Sequence, residues 1–362
     1  MTLTMYIARR FASMFAMVFA IFLAILLLID VIDQLRKAGV STGQALYLSL
    51  LNVPESLYQI LPLIMILSAI AVFLALARSS ELVVVRAAGR SGLRFLLAPV
   101  VVALIIGAVA VAVFNPLVAA TSKTYDRLNA ARGQSDGAVM SVSADGLWMR
   151  QGSADGQSVI KAQRSAPDGS ALYEVTVLSF AADGSPTERI EAASARLEPG
   201  AWVLSGAKRW ALAQANPEQM AAAVSDDLRL PTDLTLDRIR DSFGAPSGIA
   251  FWALPSYIAG LERAGFSARS YQVWFQMELA QPLLLAAMVL IAAGFTMRHA
   301  RFGKTGQMVL LALLGGFLIF FLRNFAQVLG ENGQIPVFLA AWSPPIAAAF
   351  LALGLLLHLE DG

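Results

Sequence analysis

Six long runs of apolar residues, three before residue 123 and three after residue 278, bracket a polar middle in which apolar and polar positions alternate. The runs cover 11–29, 56–77, 95–122, 279–297, 305–322 and 335–357, each at least 18 residues long and free of formal charge. Wound as a helix at roughly 1.5 Å per residue, such a run is about long enough to cross a bilayer. The pattern predicts a membrane α-helical bundle of six transmembrane helices carrying one sizeable extramembrane domain. Proline falls within several runs, at Pro62, Pro116, Pro344 and Pro345, and Glu278 with Gln281-Pro282 is expected to open span four. A proline inside a span removes a backbone hydrogen bond and bends the helix, a weak sign of a bundle that moves.

From about residue 134 to 214 the apolar runs give way to alternation broken by turns. Five Asp-Gly pairs, at Asp136-Gly137, Asp145-Gly146, Asp155-Gly156, Asp168-Gly169 and Asp183-Gly184, punctuate it at hairpin spacing. Asp-Gly tolerates the positive φ angles of tight turns, so the segment reads as an antiparallel all-β domain. Candidate strands are 147–151, 159–164, 172–180, 190–197, 202–205 and 209–213. An exposed edge strand in such a domain suits the addition of another β-domain. The chain thus divides into spans one to three at 1–122, the β-domain at 123–250, and a connecting helix with spans four to six at 251–362.

Composition sharpens this reading. The chain is 57% hydrophobic and 14% charged, against about 25% charged in soluble domains. It has no cysteine, which excludes disulfides and thiolate metal sites. The first apolar run is longer than a signal-peptide core and ends at Asp30 and Asp33 without a small-residue cleavage pattern, so it reads as a retained helix. Arg9, Arg10, Arg78, Arg86, Arg90, Arg94, Arg298, Arg301 and Lys304 flank the spans on one side; only Arg36 and Lys37 lie in the short loops opposite. The positive-inside rule then puts both termini in the cytoplasm and the β-domain outside it, in the periplasm of a bacterium-like cell.

Few motifs carry chemistry. His299 and His358 have no second ligand or carboxylate at useful spacing within a span, so no catalytic residue, metal site or cofactor is expected. Gly303-Lys304-Thr305 ends like a phosphate loop, but Arg298 stands where the earlier glycine belongs, so any ATP use falls to a partner. No nucleic-acid partner is expected. Between spans two and three, Ser79 or Ser80 can cap a short helix that Glu81 favours and Gly89 ends, with Leu82, Val85 and Arg86 on one face. That helix is either a docking element for a cytoplasmic partner or an interfacial connector. At the outer end of span one, Arg36 and Lys37 meet either the phosphates of an anionic lipid or ordinary headgroups, with Asp30 and Asp33 as their partners or as polar lining of a wet cavity. Arg323 follows an uncharged run inside span five, where an ionisable residue faces a bundle interior or a water-filled cavity.

Taken together, the layout, Asp33-Gln-Leu-Arg-Lys-Ala-Gly39, Ser80-Glu-Leu-Val-Val-Val-Arg-Ala-Ala-Gly89, and the stretch from Leu254-Pro-Ser-Tyr through Tyr271 to Gln281-Pro282 resemble the LptF/LptG permease family. The first of these motifs resembles the LptG branch. The resemblance covers nearly the whole chain and implies a transporter subunit without covalent chemistry that extracts lipopolysaccharide from the inner membrane. It implies a periplasmic β-jellyroll, an LptF-like permease partner, an LptB-like ATPase dimer docked on the Glu81–Gly89 helix, and an LptC-like bridge component. Spans one and five are implied as lateral gates. Arg36 and Lys37 match family cations that face lipid A phosphates. Asp30 stands where a further family cation is expected, and Arg323 is the candidate replacement charge. A different class of protein, a signalling or mechanotransmission subunit with a periplasmic sensor domain, needs neither outer cations nor a lipid-sized cavity.

Overall fold

The computed structural model describes residues 2–37, 40–79, 92–130, 140–143, 146–153, 156–166, 169–181, 183–212, 222–223, 227–232, 234–235, 245–297 and 305–361. The chain forms two compact units, one of Met1–Asp126, Ser247–Trp252 and Arg269–Gly362, the other of Arg127–Pro246 and Ala253–Ala268.

Among the described residues, six helices are long and apolar enough to cross a membrane, and they make up most of the first unit: Thr4–Arg36, Leu61–Arg78, Arg94–Asn129, Arg269–Thr296, Gly306–Glu331 and Val337–His358. In chain order its helices are α1 (Thr2–Arg36), α2 (Thr42–Gln59), α3 (Leu61–Arg78), α4 (Gly92–Val109), a π-helical turn (Ala110–Phe114) and α5 (Asn115–Ala130). α2 opens on a capping box, in which the Ser41 side chain accepts from the Gln44 N–H and Gln44 reaches back to the Ser41 N–H. Pro62 produces a break where a kink is expected. It sits in the first turn of α3, where its missing N–H costs nothing, and the helix ends and restarts at Ile60.

The π turn has a similar cause. Pro116 cannot donate to the Ala112 carbonyl, and the Asn115 N–H bonds instead to Ala110, five residues back. The Ala112 carbonyl set free accepts the indole N–H of Trp252 at 3.0 Å. Trp252 is itself 68% exposed and packs edge-on to Phe251, as aromatic residues do at a membrane–water boundary.

The second unit carries the strands. Among the described residues they are β1 (Met140–Ser143), β2 (Gly146–Ser153), β3 (Gly156–Ser165), β4 (Ala171–Ala181), β5 (Pro186–Glu198), β6 (Ala201–Ser205), β7 (Lys208–Ala211), β8 (Ala222–Ala223) and β9 (Leu228–Pro231), followed by helix α6 (Leu254–Arg263). All pairings are antiparallel, and β1 to β6 lie side by side in chain order. The sheet forks at the long β5, whose first half pairs with β7 and whose second half pairs with β6. One branch then adds β8 and the other β9. At the β4–β5 turn the Asp183 carboxylate accepts both the hydroxyl and the N–H of Ser185. The hydroxyl bond, then the backbone bond, holds this carboxyl below its ordinary range, so the support is present at neutral pH and lost as pH falls through that lowered value.

Alternation gives the sheet a buried face of Leu147, Met149, Ile160, Val175, Val177, Ile190 and Leu204, each at most 3% exposed. The period is broken in register across three strands. Ala162, Val175 and Ala192 pair on the buried face, and so do Ser165, Leu172 and Ala195, with two residues between them on every strand. Glu174 (φ 54°) takes up the extra residue on β4, so the apolar face stays inward through the irregularity.

Trp202, 1% exposed, is the largest fully buried side chain. Trp202→Ala is expected to cost about 3 kcal/mol, the lower end of the range for a truncated core aromatic. It also removes a buried indole N–H that has no partner among the described residues, which offsets part of the loss. Limited proteolysis checks this: the β-domain should be cleaved faster, with the helical unit intact.

The remaining helices are α7 (Arg269–Thr296), α8 (Thr305–Glu331) and α9 (Val337–Asp361). Arg269 ties them together at one end, its guanidinium donating to the carbonyls of Gly330 at 2.6 Å and Ile335 at 2.7 Å. It thereby joins the start of α7 to the last turn of α8 and to the segment that enters α9.

Candidate functional site

The cations at the end of α1 sit in different surroundings. Lys37 donates to Gln34 Oε1 at 3.2 Å and approaches Asp33 at 3.9 Å. Gln34, 1% exposed, donates in turn to the Tyr125 hydroxyl at 3.0 Å, which fixes this end of α1 against α5. Arg36 is exposed, and among the described residues it has no hydrogen-bond or ion-pair partner. Asp30 pairs with neither cation. Its Oδ1 accepts from Asn52 of α2 at 2.7 Å, and its Oδ2 is buried, without a partner among the described residues. The two aspartates therefore divide, Asp33 toward Lys37 and Asp30 toward the neighbouring helix.

The segment Glu81, Leu82, Val85, Arg86, Gly89 lies outside the described residues. Its neighbour Ser79 ends α3, its N–H bonded to Ala75 and its hydroxyl to the Leu76 carbonyl. That is a role at the end of the preceding helix.

Arg323 lies well inside α8, with two further turns of helix after it. It is half-buried, and its Nη2 donates to Gln281 Oε1 of α7 at 3.3 Å. Glu278, three residues before Gln281, shares that face of α7. α7 begins at Arg269, so Glu278 stands nine residues inside the helix and does not open it. It is 1% exposed; its Oε2 accepts from the Tyr58 hydroxyl of α2, and its Oε1 is buried, without a partner among the described residues. Glu278 and Arg323 lie within electrostatic range of each other, with Asn115 beside Glu278. Asn115 Oδ1 accepts the Phe251 N–H at 2.8 Å. Because Pro282 has no N–H, the Glu278 carbonyl also lacks its helical donor. α4 comes close at the same level: a Cβ on Gly107 would lie 2.5 Å from Pro282 Cα. A polar cluster from α2, α5, α7 and α8 thus occupies the middle of an otherwise apolar bundle.

Nothing in this arrangement suggests bond-making chemistry. Among the described residues no group of His, Cys, Asp or Glu is placed to hold a metal ion. The spans do differ in how they are packed. In the most apolar window of the fourth span 78% is buried, against 17% in the fifth and none in the first. α1 presents Met17, Ile21, Ile25, Leu28 and Ile32 outward, and α8 presents Leu314, Phe317, Leu318, Phe321 and Phe325. Two apolar helix faces are therefore open to lipid or to a second membrane protein.

The chain is similar over nearly its full length to proteins that move a lipid. It is 26% identical over 336 residues to the lipopolysaccharide export system permease protein LptG of Escherichia coli K12, covering 91% of each chain. It is 22% identical over 378 residues to LptG of Haemophilus influenzae, covering 99% of each. Residues 5–358 match the model of the lipopolysaccharide export system permeases LptF/LptG, and the chain belongs to that family.

Proposed function

We propose that this chain is the LptG-like half of a heterodimeric permease, paired with an LptF-like subunit, driven by an LptB-like ATPase dimer and joined to an LptC-like bridge component. Its termini lie in the cytoplasm and its β-domain in the periplasm, by the asymmetry of arginine and lysine around the spans. The observation that carries the reading is the low burial of spans one and five. These helices serve as the lateral gates against the partner permease, and lipopolysaccharide enters sideways between them. Arg36, exposed and unpartnered, and Lys37 beside it meet the lipid A phosphates; Asp30 and Asp33 fix the surrounding polar groups. The Glu81–Gly89 segment couples to the ATPase through Leu82, Val85 and Arg86. Each methylene drawn out of the bilayer costs about 0.8 kcal/mol, so extraction requires work supplied by ATP hydrolysis. The lipid then passes to the apolar face of the β-sheet.

Photo-crosslinking in cells, with the ATPase active or inactivated, tests this route. A probe at Arg36 is expected to capture lipopolysaccharide in both conditions. A probe at Met149, on the buried face of the sheet, should capture it only when ATP is hydrolysed. A probe at Trp148, on the opposite face with Lys161 over its ring, should capture none. Protein adducts at Met149 and no lipid at Arg36 would instead favour a signalling subunit with a sensor domain.

A further inference from the structure

The half-satisfied charges between α7 and α8 have a use if the chain is a gated lipid permease, and the inference below rests on that reading. Glu278 has one carboxylate oxygen bound by Tyr58 and the other buried, without a partner among the described residues. Arg323 spends its one described hydrogen bond, at 3.3 Å, on the neutral amide of Gln281. Opposite charges stand on facing helices and do not meet. A buried carboxylate oxygen left unpaired is costly, and so is a guanidinium whose charge is not locally matched. The arrangement is one step from closure. Glu278 and Gln281 lie on one face of α7, about 4.5 Å apart along its axis, and arginine has a long, flexible stem. α7 is the best-buried span and α8 among the least buried, so of the two it is α8 that is free to shift.

We propose that Arg323 and Glu278 form a two-position latch on span five. In one position Arg323 rests on Gln281, as in this structure; in the other it closes on Glu278 Oε1. Tyr58 holds Oε2, so Oε1 is the oxygen left to receive Arg323. Glu278 and Arg323 are then positioning residues that set where the gate stands. In this role Arg323 is not a ligand of the lipid phosphates.

The test uses the complete complex, with partner permease and ATPase, in proteoliposomes loaded with lipopolysaccharide. Glu278→Gln and Arg323→Gln are each expected to slow ATP-driven release on the order of tenfold. The charge swap Glu278→Arg with Arg323→Glu should recover most of that loss. Because this chain has no cysteine, spin labels at Leu279→Cys and Val328→Cys report the α7–α8 distance once any cysteines of the partner chains are replaced. Two distance populations are expected, redistributed between nucleotide-free and nucleotide-trapped states, with only one remaining in Glu278→Gln. A merely structural role would lower thermal stability without removing a population. A swap no better than the single variants, or one distance population in every state, would overturn the latch. So would loss of lipid loading in Arg323→Gln alone, before any ATP is added, because Arg323 would then be a lipid ligand. If the unsubstituted complex neither loads nor releases lipopolysaccharide, it is the transport reading that fails.

Discussion

Gly265→Ala is expected to detach α6 from the β-sheet. α6 ends in a Schellman arrangement: the Phe266 N–H bonds to the Leu261 carbonyl and the Gly265 N–H to the Glu262 carbonyl, both at 3.0 Å. Gly265 occupies the left-handed position of that motif, with φ +87°. A methyl group there strains the backbone by about 1–2 kcal/mol. It also runs into the carbonyl oxygen of Ser165, the last residue of β3. That neighbour is main chain and cannot rotate away. The Ser165 N–H donates to the Ala264 carbonyl at 2.8 Å, so the added carbon falls on the contact that joins helix to strand. Overlap of this kind adds about 1–3 kcal/mol, and the sum is a large part of the roughly 5–15 kcal/mol that hold an ordinary domain. Amide hydrogen exchange in the intact protein measures it: protection at Ser165 and across α6 should fall sharply, with the β4–β5 pairing kept. Unchanged exchange at Ser165 would mean that α6 is not held to the sheet through Gly265.

Which parts of this molecule are legible in its sequence follows from what each part buries. The spans are legible because a bilayer demands a long uncharged run, and six such runs are present. The strands are legible because a half-buried sheet enforces alternation; 172–180 as read and Ala171–Ala181 as found differ by a residue at each end. The polar cluster is legible only in part. Arg323 reads as lying inside span five, and α8 continues past it to Glu331, but ending an apolar run at a charge places Glu278 outside span four, whereas α7 begins at Arg269. Glu278 and Arg323 stand on facing helices, and each is held in the bundle by a polar neighbour of its own, Tyr58 for Glu278 and Gln281 for Arg323. Nor could the facing of β2 be read, since Leu147, Trp148 and Met149 are all apolar. Register settles it, with Trp148 opposite Lys161 and Met149 opposite Ile160. The bond from Asn52 to Asp30 is not legible either, since Asn52 lies on α2, a helix of mixed polarity of which an apolar run covers only the last turn.

The largest single loss in the helical unit is expected from Gly107→Leu. Gly107 and Pro282 mark a contact of α4 with α7 in which the missing side chain on one helix admits the main chain of the other. Small residues serve this purpose in membrane bundles, where association depends on close packing and not on expelling water. An alanine Cβ there would lie 2.5 Å from Pro282 Cα and 3.0 Å from its Cβ, and neither helix can yield by a side-chain rotation. Gly107→Ala should cost about 1–3 kcal/mol. Leucine demands several further ångströms and forces the helices apart. Separation falls where α7 can least absorb it, since Pro282 has already removed one turn's hydrogen bond and Glu278 sits four residues away. Tyr58, on α2, would lose its carboxylate partner as α7 moves. The expected result is a graded series: Gly107→Ala accumulates in the membrane with a lowered Tm, and Gly107→Leu accumulates poorly with a Tm lower still. Membrane abundance and detergent thermal melts of the three proteins decide it. Gly107→Leu at natural abundance and unchanged Tm would mean that α4 and α7 stand farther apart than Gly107 and Pro282 indicate, and that the polar cluster is held by other contacts.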